Sequence, residues 1–451
     1  MSPAVPSAEG PSPLRWFTAG LFAAIWLVVV AGIVLPSLPV KQVGAVLLAA
    51  LIAVALTKAS RHIRLLGCVL GGATVVLSVL HRDAGSLWKG LETALPFAAF
   101  LPTVVMLRGA VEASPTVTTI RTRLTELDPD GRTVWMTLGA HLLAAIITLG
   151  FVSVLRPMLP ERLSDTERVT LAQSSIRGLG LAITWSPFFV ASAVASQLLP
   201  MVAAWRMIGF GLLLACAGMA IAVLMFTPRI RAASLRKAVQ RVGVLLLPTA
   251  AMVGVVVVVS AATGWTSLQT IVVAFPVASA GYILLRTGRG GSAALKRVAT
   301  GVGRMGDEVV IMTASAVFGS MVAGYGLPDG MVDLIEGLAR FPAIIILLEV
   351  AITVGLGMVG LHPMVSAAVL IPLTLSLQIP IAPQVLAQMV MLAWSLSSTI
   401  AIWTLPVVVA STTFDVPVRS LATGPNLRFV AVFGLVGCGL LALLNEALPV
   451  R

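Results

Sequence analysis

Apolar stretches of about twenty residues recur along this 451-residue chain from Phe17 to Leu444. A helix of that length matches the roughly 30 Å hydrocarbon core of a bilayer. In lipid, backbone N–H and C=O groups must be satisfied internally, so only helices and closed barrels span. A barrel needs short alternating segments with polar lumen positions, and this chain has none. The sequence therefore predicts an all-α polytopic membrane protein, with about 11 transmembrane helices and two opposed re-entrant hairpins. The composition agrees: 58% of residues are hydrophobic and 11% charged. The net charge of +12 does not point to nucleic acid, because Lys and Arg collect in alternate loops, the positive-inside pattern. Cys68, Cys216 and Cys438 are isolated in apolar segments and form neither a disulfide framework nor a metal cluster. No cleavable signal is evident in Met1–Pro13.

Residues 1–16 read as a disordered cytoplasmic tail and 17–42 as a first helix with its loop. Residues 43–228 form a first repeat: three helices, an inner hairpin over 133–170, a broken helix over 171–200 and a helix over 207–226. Residues 229–241 are a basic cytoplasmic connector. Residues 242–446 form a second repeat: three helices, an outer hairpin over 341–380, a broken helix over 384–413 and a helix over 429–444. Thr116–Pro129 and Pro328–Arg340 read as interfacial amphipathic helices. The charge pattern expects the N-terminus in the cytoplasm and the C-terminus outside, in a cytoplasmic (inner) membrane.

The duplication rests on two motifs that occur twice in the same order. Leu149–Met158 reads LGFVSVLRPM and Leu356–Met364 reads LGMVGLHPM. Ala182–Ser192, AITWSPFFVAS, aligns with Ala401–Ser411, AIWTLPVVVAS, at an offset of 219 residues (401 − 182). Gly- and Pro-interrupted apolar segments at matching places in two halves point to a transport site. Hairpin tips and helix breaks leave backbone groups without intrahelical partners. Helix N-termini there suit anions and carbonyl ends suit small cations.

The candidate substrate-binding residues are Ser153, Arg156, Thr184, Ser186, Gly360, His362, Ser397, Ser398, Thr399 and Thr404. Arg156 and His362 precede the shared proline at the two tips and form a candidate cationic pair facing an anion. The bland alternatives are snorkelling to the interface for Arg156 and a structural role for His362. Arg177 either reaches the substrate or anchors the cytoplasmic side. The hydroxyls of Ser395, Ser397, Ser398 and Thr399 suit a carboxylate, or serve helix packing and back-bonding instead. Trp185 and Trp403, beside Thr184 and Thr404, read as matching walls or interfacial anchors. Glu349 sits alone in the run AIIILLEVAITVGLG, which suits ion coupling or a neutral interhelical hydrogen bond. With Gly150 and Gly357 it makes the candidate coupling-ion set. Asp307 and Glu308 read as N-terminal helix charges.

Two inverted halves, each with three helices, a re-entrant hairpin, a broken helix and a last helix, resemble the ion transporter superfamily. The arm most similar is the divalent anion:sodium symporter family, over roughly Val43–Leu444. Gly360–Pro372, GLHPMVSAAVLIP, sits where that family has a Ser-Asn-Thr tip followed by an apolar run and Pro, and Ser398–Val407, STIAIWTLPV, resembles its second broken helix. Both tips here lack Ser-Asn-Thr and read SVLRP and GLHP.

The expected function is secondary active transport of a small organic anion, a carboxylate, by an ion-coupled elevator-type cycle in a homodimer. No cofactor is expected, and the coupling ion is Na+ or H+. The partners are the anionic substrate, the lipid bilayer and a second copy, with no nucleic acid. The alternative is a flippase or transporter of a lipid or lipid-linked anion. An enzyme is not expected, because the chain has no HExxH, no GxSxG and no paired intramembrane Asp.

Overall fold

The computed structural model describes residues 13–112, 127–151, 163–287, 291–325 and 329–449. Among them every regular element is helical, as the spanning-length runs require. In chain order the helices are α1 (Pro13–Val34), α2 (Val40–Lys58), α3 (Arg61–His81), α4 (Ala84–Glu112) and α5 (Pro129–Ile147). Next come α6 (Asp165–Ile183), α7 (Val190–Leu198), α8 (Ala204–Phe226), α9 (Ala232–Val242) and α10 (Leu246–Thr263). Then follow α11 (Ser267–Thr287), α12 (Gly291–Val302), α13 (Gly306–Tyr325), α14 (Asp329–Ala339) and α15 (Pro342–Met358). The last are α16 (Pro363–Ser376), α17 (Pro383–Ile400), α18 (Leu405–Phe414), α19 (Val418–Ala422) and α20 (Pro425–Ala447). The expected tail, most of Thr116–Pro129, Ser153 and Arg156 lie outside the described residues.

Ten described segments are long and apolar enough to cross a membrane. Of the spans expected from sequence, 171–200 is missing from that set. Its helix α6 carries Glu167, Arg168, Gln173, Ser174, Ser175 and Arg177, and the first turn is acidic. The helix starts at Asp165 because Ser164 and Glu167 form a reciprocal capping box. Helix α12 lies inside the basic stretch 286–304. Its short amphipathic pattern is too polar to register as a span.

The chain divides into two compact units. The first holds residues 1–113 and 272–321. Here α4 and α11 carry prolines inside their helices, Pro96 and Pro102 in one, Pro276 in the other. A helix-interior proline removes the hydrogen bond to the carbonyl four residues back, which for Pro276 is that of Val272. Trp26 on α1 supplies the missing donor: its indole N–H lies 2.9 Å from the Val272 oxygen. Trp26→Phe leaves that carbonyl orphaned and is expected to destabilise the protein by about 1–3 kcal/mol, measured by denaturation in detergent. An unchanged midpoint would show that the bond contributes nothing.

The second unit holds residues 114–271 and 322–451. It contains both helix breaks and the complete outer hairpin. Helix α6 lies against α5 and α17 through glycines. A Cβ on Gly178 would stand 2.2 Å from the Thr137 carbonyl oxygen, and one on Gly180 would stand 2.5 Å from Thr399 Oγ1. Gly178 and Gly180 therefore mark close helix approach rather than the break, which falls later, between Ile183 and Val190. Glycine weakens helices and also permits contact, and spacing alone does not separate the two uses.

Candidate functional site

The outer hairpin joins α15 to α16 through a four-residue tip, Gly360 to Pro363. Helix α15 ends in a Schellman arrangement: the Leu361 N–H bonds to the Leu356 oxygen at 2.9 Å and the Gly360 N–H to the Gly357 oxygen at 3.1 Å. Gly360 takes φ +97°, which a residue with a Cβ rarely adopts. Helix α16 begins at Pro363, three residues after Gly360. His362 is its N-cap, with Nδ1 accepting from the Met364 N–H at 3.3 Å, and Pro363 occupies the first turn. The four residues Gly-Leu-His-Pro thus close one helix and open the next.

That tip sits beside α17. The His362 ring meets Trp394 edge-on at 5.1 Å between centroids. A Cβ on Gly357 would stand 2.0 Å from Ser397 Oγ, so these two candidate residues touch. Ser397 Oγ and Ser366 Oγ are buried with no hydrogen-bond partner among the described residues. Ser398 and Thr399 are also buried. The Thr399 hydroxyl donates to the Ser395 carbonyl at 2.8 Å, the back-bonding expected of hydroxyls inside helices. Thr404 is the N-cap residue of α18, and its hydroxyl lies 2.7 Å from the Ala401 carbonyl and 3.3 Å from that of Ser398. It spans the break between α17 and α18.

The first break is built differently. Thr184 Oγ1 lies 2.8 Å from the Leu181 carbonyl and 3.1 Å from that of Gly211, while Ser186 Oγ donates to the Ala145 carbonyl at 2.5 Å. Both residues are fully buried. Trp185 is buried and its indole N–H donates to His141 Nε2 at 3.2 Å. Its repeat counterpart Trp403 is 59% exposed, so the two tryptophans do not form matching walls. Gly150 is buried in a short turn of 3-10 helix after α5.

Glu349 stands apart from the serines but not far along the fold. Its carboxylate accepts a hydrogen bond from the Thr374 hydroxyl across the hairpin. It lines a small cavity with Val350, Thr353, Pro363, Met389 and Ala393. Pro363 and Ala393 are the chain neighbours of His362 and Trp394, so the cavity adjoins the tip. Among the described residues no cation lies within 4 Å of Glu349.

Arg177 is buried on α6, 1% exposed. Its guanidinium bonds to Asn426 Oδ1 and Ser174 Oγ, each at 2.9 Å, and lies 3.9 Å from the Phe226 ring centre. It ties α6 to α8 and α20 within the unit. Trp394 and Ser366 escaped the sequence reading. A lone polar or aromatic residue on an apolar helix carries no periodic signal, and only the fold sets these two beside the tip and α17.

No family model matches the chain, and no curated protein matches it. Among solved structures it is similar to MtrF of Neisseria gonorrhoeae, from a class of antimetabolite efflux pumps. The two are 13% identical over 82% of this chain and 84% of that one, with a TM-score of 0.43. A match that distant assigns neither chemistry nor mechanism. The candidate site is the cluster of tip, break and buried hydroxyls in the second unit.

Proposed function

We propose that the protein is a secondary active transporter of a small organic anion, a carboxylate, in the cytoplasmic membrane. The carrying observation is a pair of interrupted helices, α6/α7 and α17/α18, whose breaks correspond in the duplicated sequence and share one compact unit. Interrupted helices at membrane depth are tolerated where they line protein or a cavity, and their ends hold ions and anions. The anion would meet the His362 and Gly360 tip, Ser397, Ser398, Thr399 and Thr404, with Arg156 and Ser153 from the inner hairpin. Thr184 and Ser186 would shape the first break through the backbone bonds they make. A proton or Na+ would couple at Glu349, near Gly357, with Gly150 as the inner counterpart. The cycle is proposed as elevator-type, in a homodimer with its N-terminus inside, without a cofactor and without enzymatic activity. The divalent anion:sodium symporter resemblance supports this reading through the order of elements.

Purified protein in liposomes is expected to accumulate a labelled dicarboxylate or monocarboxylate when an ion gradient is imposed. Accumulation no greater than in gradient-free vesicles, across a carboxylate panel, would overturn the reading. Within it, His362→Ala, and Ser398→Ala with Thr399→Ala, are each expected to weaken substrate binding about tenfold or more. That follows from losing hydrogen bonds to a charged group at about 1.5–3 kcal/mol each. Calorimetry on folded protein reads the loss, and His362→Asn, which can still cap α16, separates capping from substrate contact.

A further inference from the structure

The first unit contains an apolar groove that the transport reading does not use. It has a volume of about 370 Å³ and lies between α1, α4, α11 and α12. Ala23, Pro102, Met106, Val277, Ala280 and Val302 form much of its lining. Val277, at 66% exposure, and Ala23 stand at the open side. Two polar side chains reach it, Trp26 and Thr103. Both are already bonded, Trp26 to the Val272 carbonyl and Thr103 to the Ala99 carbonyl at 3.0 Å. A space that size equals about twelve water volumes of roughly 30 Å³, yet an ordered water needs two to four polar partners. Water therefore does not suit the groove, and hydrocarbon does.

The charge around one end of the groove says which hydrocarbon. Arg15 is one turn before the lining residue Ala19, and Arg304 is two residues after Val302. A Cβ on Gly303 would stand 2.8 Å from the Arg15 carbonyl oxygen, which brings the start of α1 and the end of α12 to the same place. Arg304 is exposed there. Helix α12 is held close to α4 through glycine: a Cβ on Gly109 would be 2.9 Å from Val298 and one on Gly301 3.0 Å from Val105. Basic clusters at the end of a groove between membrane helices suit acidic headgroups.

We propose that this groove is a binding site for one acyl chain of an anionic bilayer phospholipid, with its headgroup held by the basic rim of Arg15 and Arg304. The site lies wholly within the first unit and is independent of the substrate reading.

The test uses the full chain in detergent, stripped of lipid and then mixed with phosphatidylglycerol or phosphatidylcholine, with bound lipid counted by native mass spectrometry. Wild-type protein is expected to retain phosphatidylglycerol about tenfold more than phosphatidylcholine. Val277→Trp, placed at the open side where it disturbs no packing, is expected to remove most of the retained lipid. Ala23→Trp gives a second blocked variant should the first misfold. Arg15→Glu with Arg304→Glu is expected to abolish the headgroup preference while chain binding persists. Equal retention of the two lipids by the wild type, or retention unchanged by both blocking variants, overturns the proposal. Disulfide-linked dimers of Val277→Cys formed in native membranes would also overturn it, since a second copy would then fill the groove.

Discussion

Gly178→Ala is expected to destabilise the protein by about 3 kcal/mol, at the upper end of overpacking costs, although alanine is the better helix former by about 1 kcal/mol. The added Cβ would stand 2.2 Å from the Thr137 oxygen and 2.9 Å from both the Ala140 Cβ and the His141 nitrogen. Two of these three atoms are backbone, so no rotamer change relieves the contact. Either α6 moves off α5, or one of them bends. Either response shifts the Ser186 hydroxyl from the Ala145 carbonyl and the Trp185 indole from His141, so the first break loses two of its supports. Transport activity is expected to fall with stability. Gly209→Ala on α8 is the internal control, because its Cβ would meet nothing within 4 Å. That variant should keep or raise stability through helix propensity alone. Opposite signs for the two glycines, read from denaturation midpoints in detergent, are the expected result. Equal effects would mean that the α5–α6 approach has room to relax.

The same glycine explains how far the sequence could be read. The Gly-Leu-His-Pro tip was legible as a chain reversal because glycine tolerates positive φ and proline suits a first turn, while the capping by His362 was not, since a histidine there equally suits an anion. The duplicated Ser-Pro and Leu-Pro stretches were legible for a similar reason, since proline lacks the N–H that a continuing helix needs. Gly178 and Gly180 were ambiguous, because helix breaking and helix packing select the same residue. Contacts between distant segments were not legible at all. Trp26 and Val272 are 246 residues apart, and nothing local marks the tryptophan as the donor that Pro276 requires. Arg177 shows the opposite case. An arginine in an apolar segment invites a functional reading, while the fold gives it Asn426, Ser174 and Phe226. Helix α10 is similarly informative. Its sequence groups it with the early helices of the second half, whereas its contacts place it in the unit that holds the outer hairpin.

Glu349→Gln is expected to separate substrate binding from accumulation, with a larger effect on function than Gly178→Ala. The Glu349 side chain is half-buried, bonded to the Thr374 hydroxyl, and lines a cavity that is otherwise almost entirely apolar. Burying a lone carboxylate costs free energy unless a cation accompanies it. Among the described residues no Lys, Arg or His lies within salt-bridge distance to do so, so a proton or Na+ is the natural partner. Glutamine keeps the shape and can still accept from Thr374, but it takes up neither ion. Substrate affinity is therefore expected to stay within about threefold of wild type, a change under about 1 kcal/mol. Gradient-driven accumulation in liposomes is expected to fall about tenfold or more, leaving substrate exchange at equal concentrations intact. Thr374→Val, which removes the hydroxyl but keeps the volume, should shift the dependence on pH or sodium without abolishing it. If Glu349→Gln accumulates substrate as the wild type does, the carboxylate is a structural hydrogen-bond acceptor and coupling resides elsewhere. If accumulation in the wild type follows a pH gradient and ignores sodium, the ion at Glu349 is the proton; the reverse outcome assigns Na+.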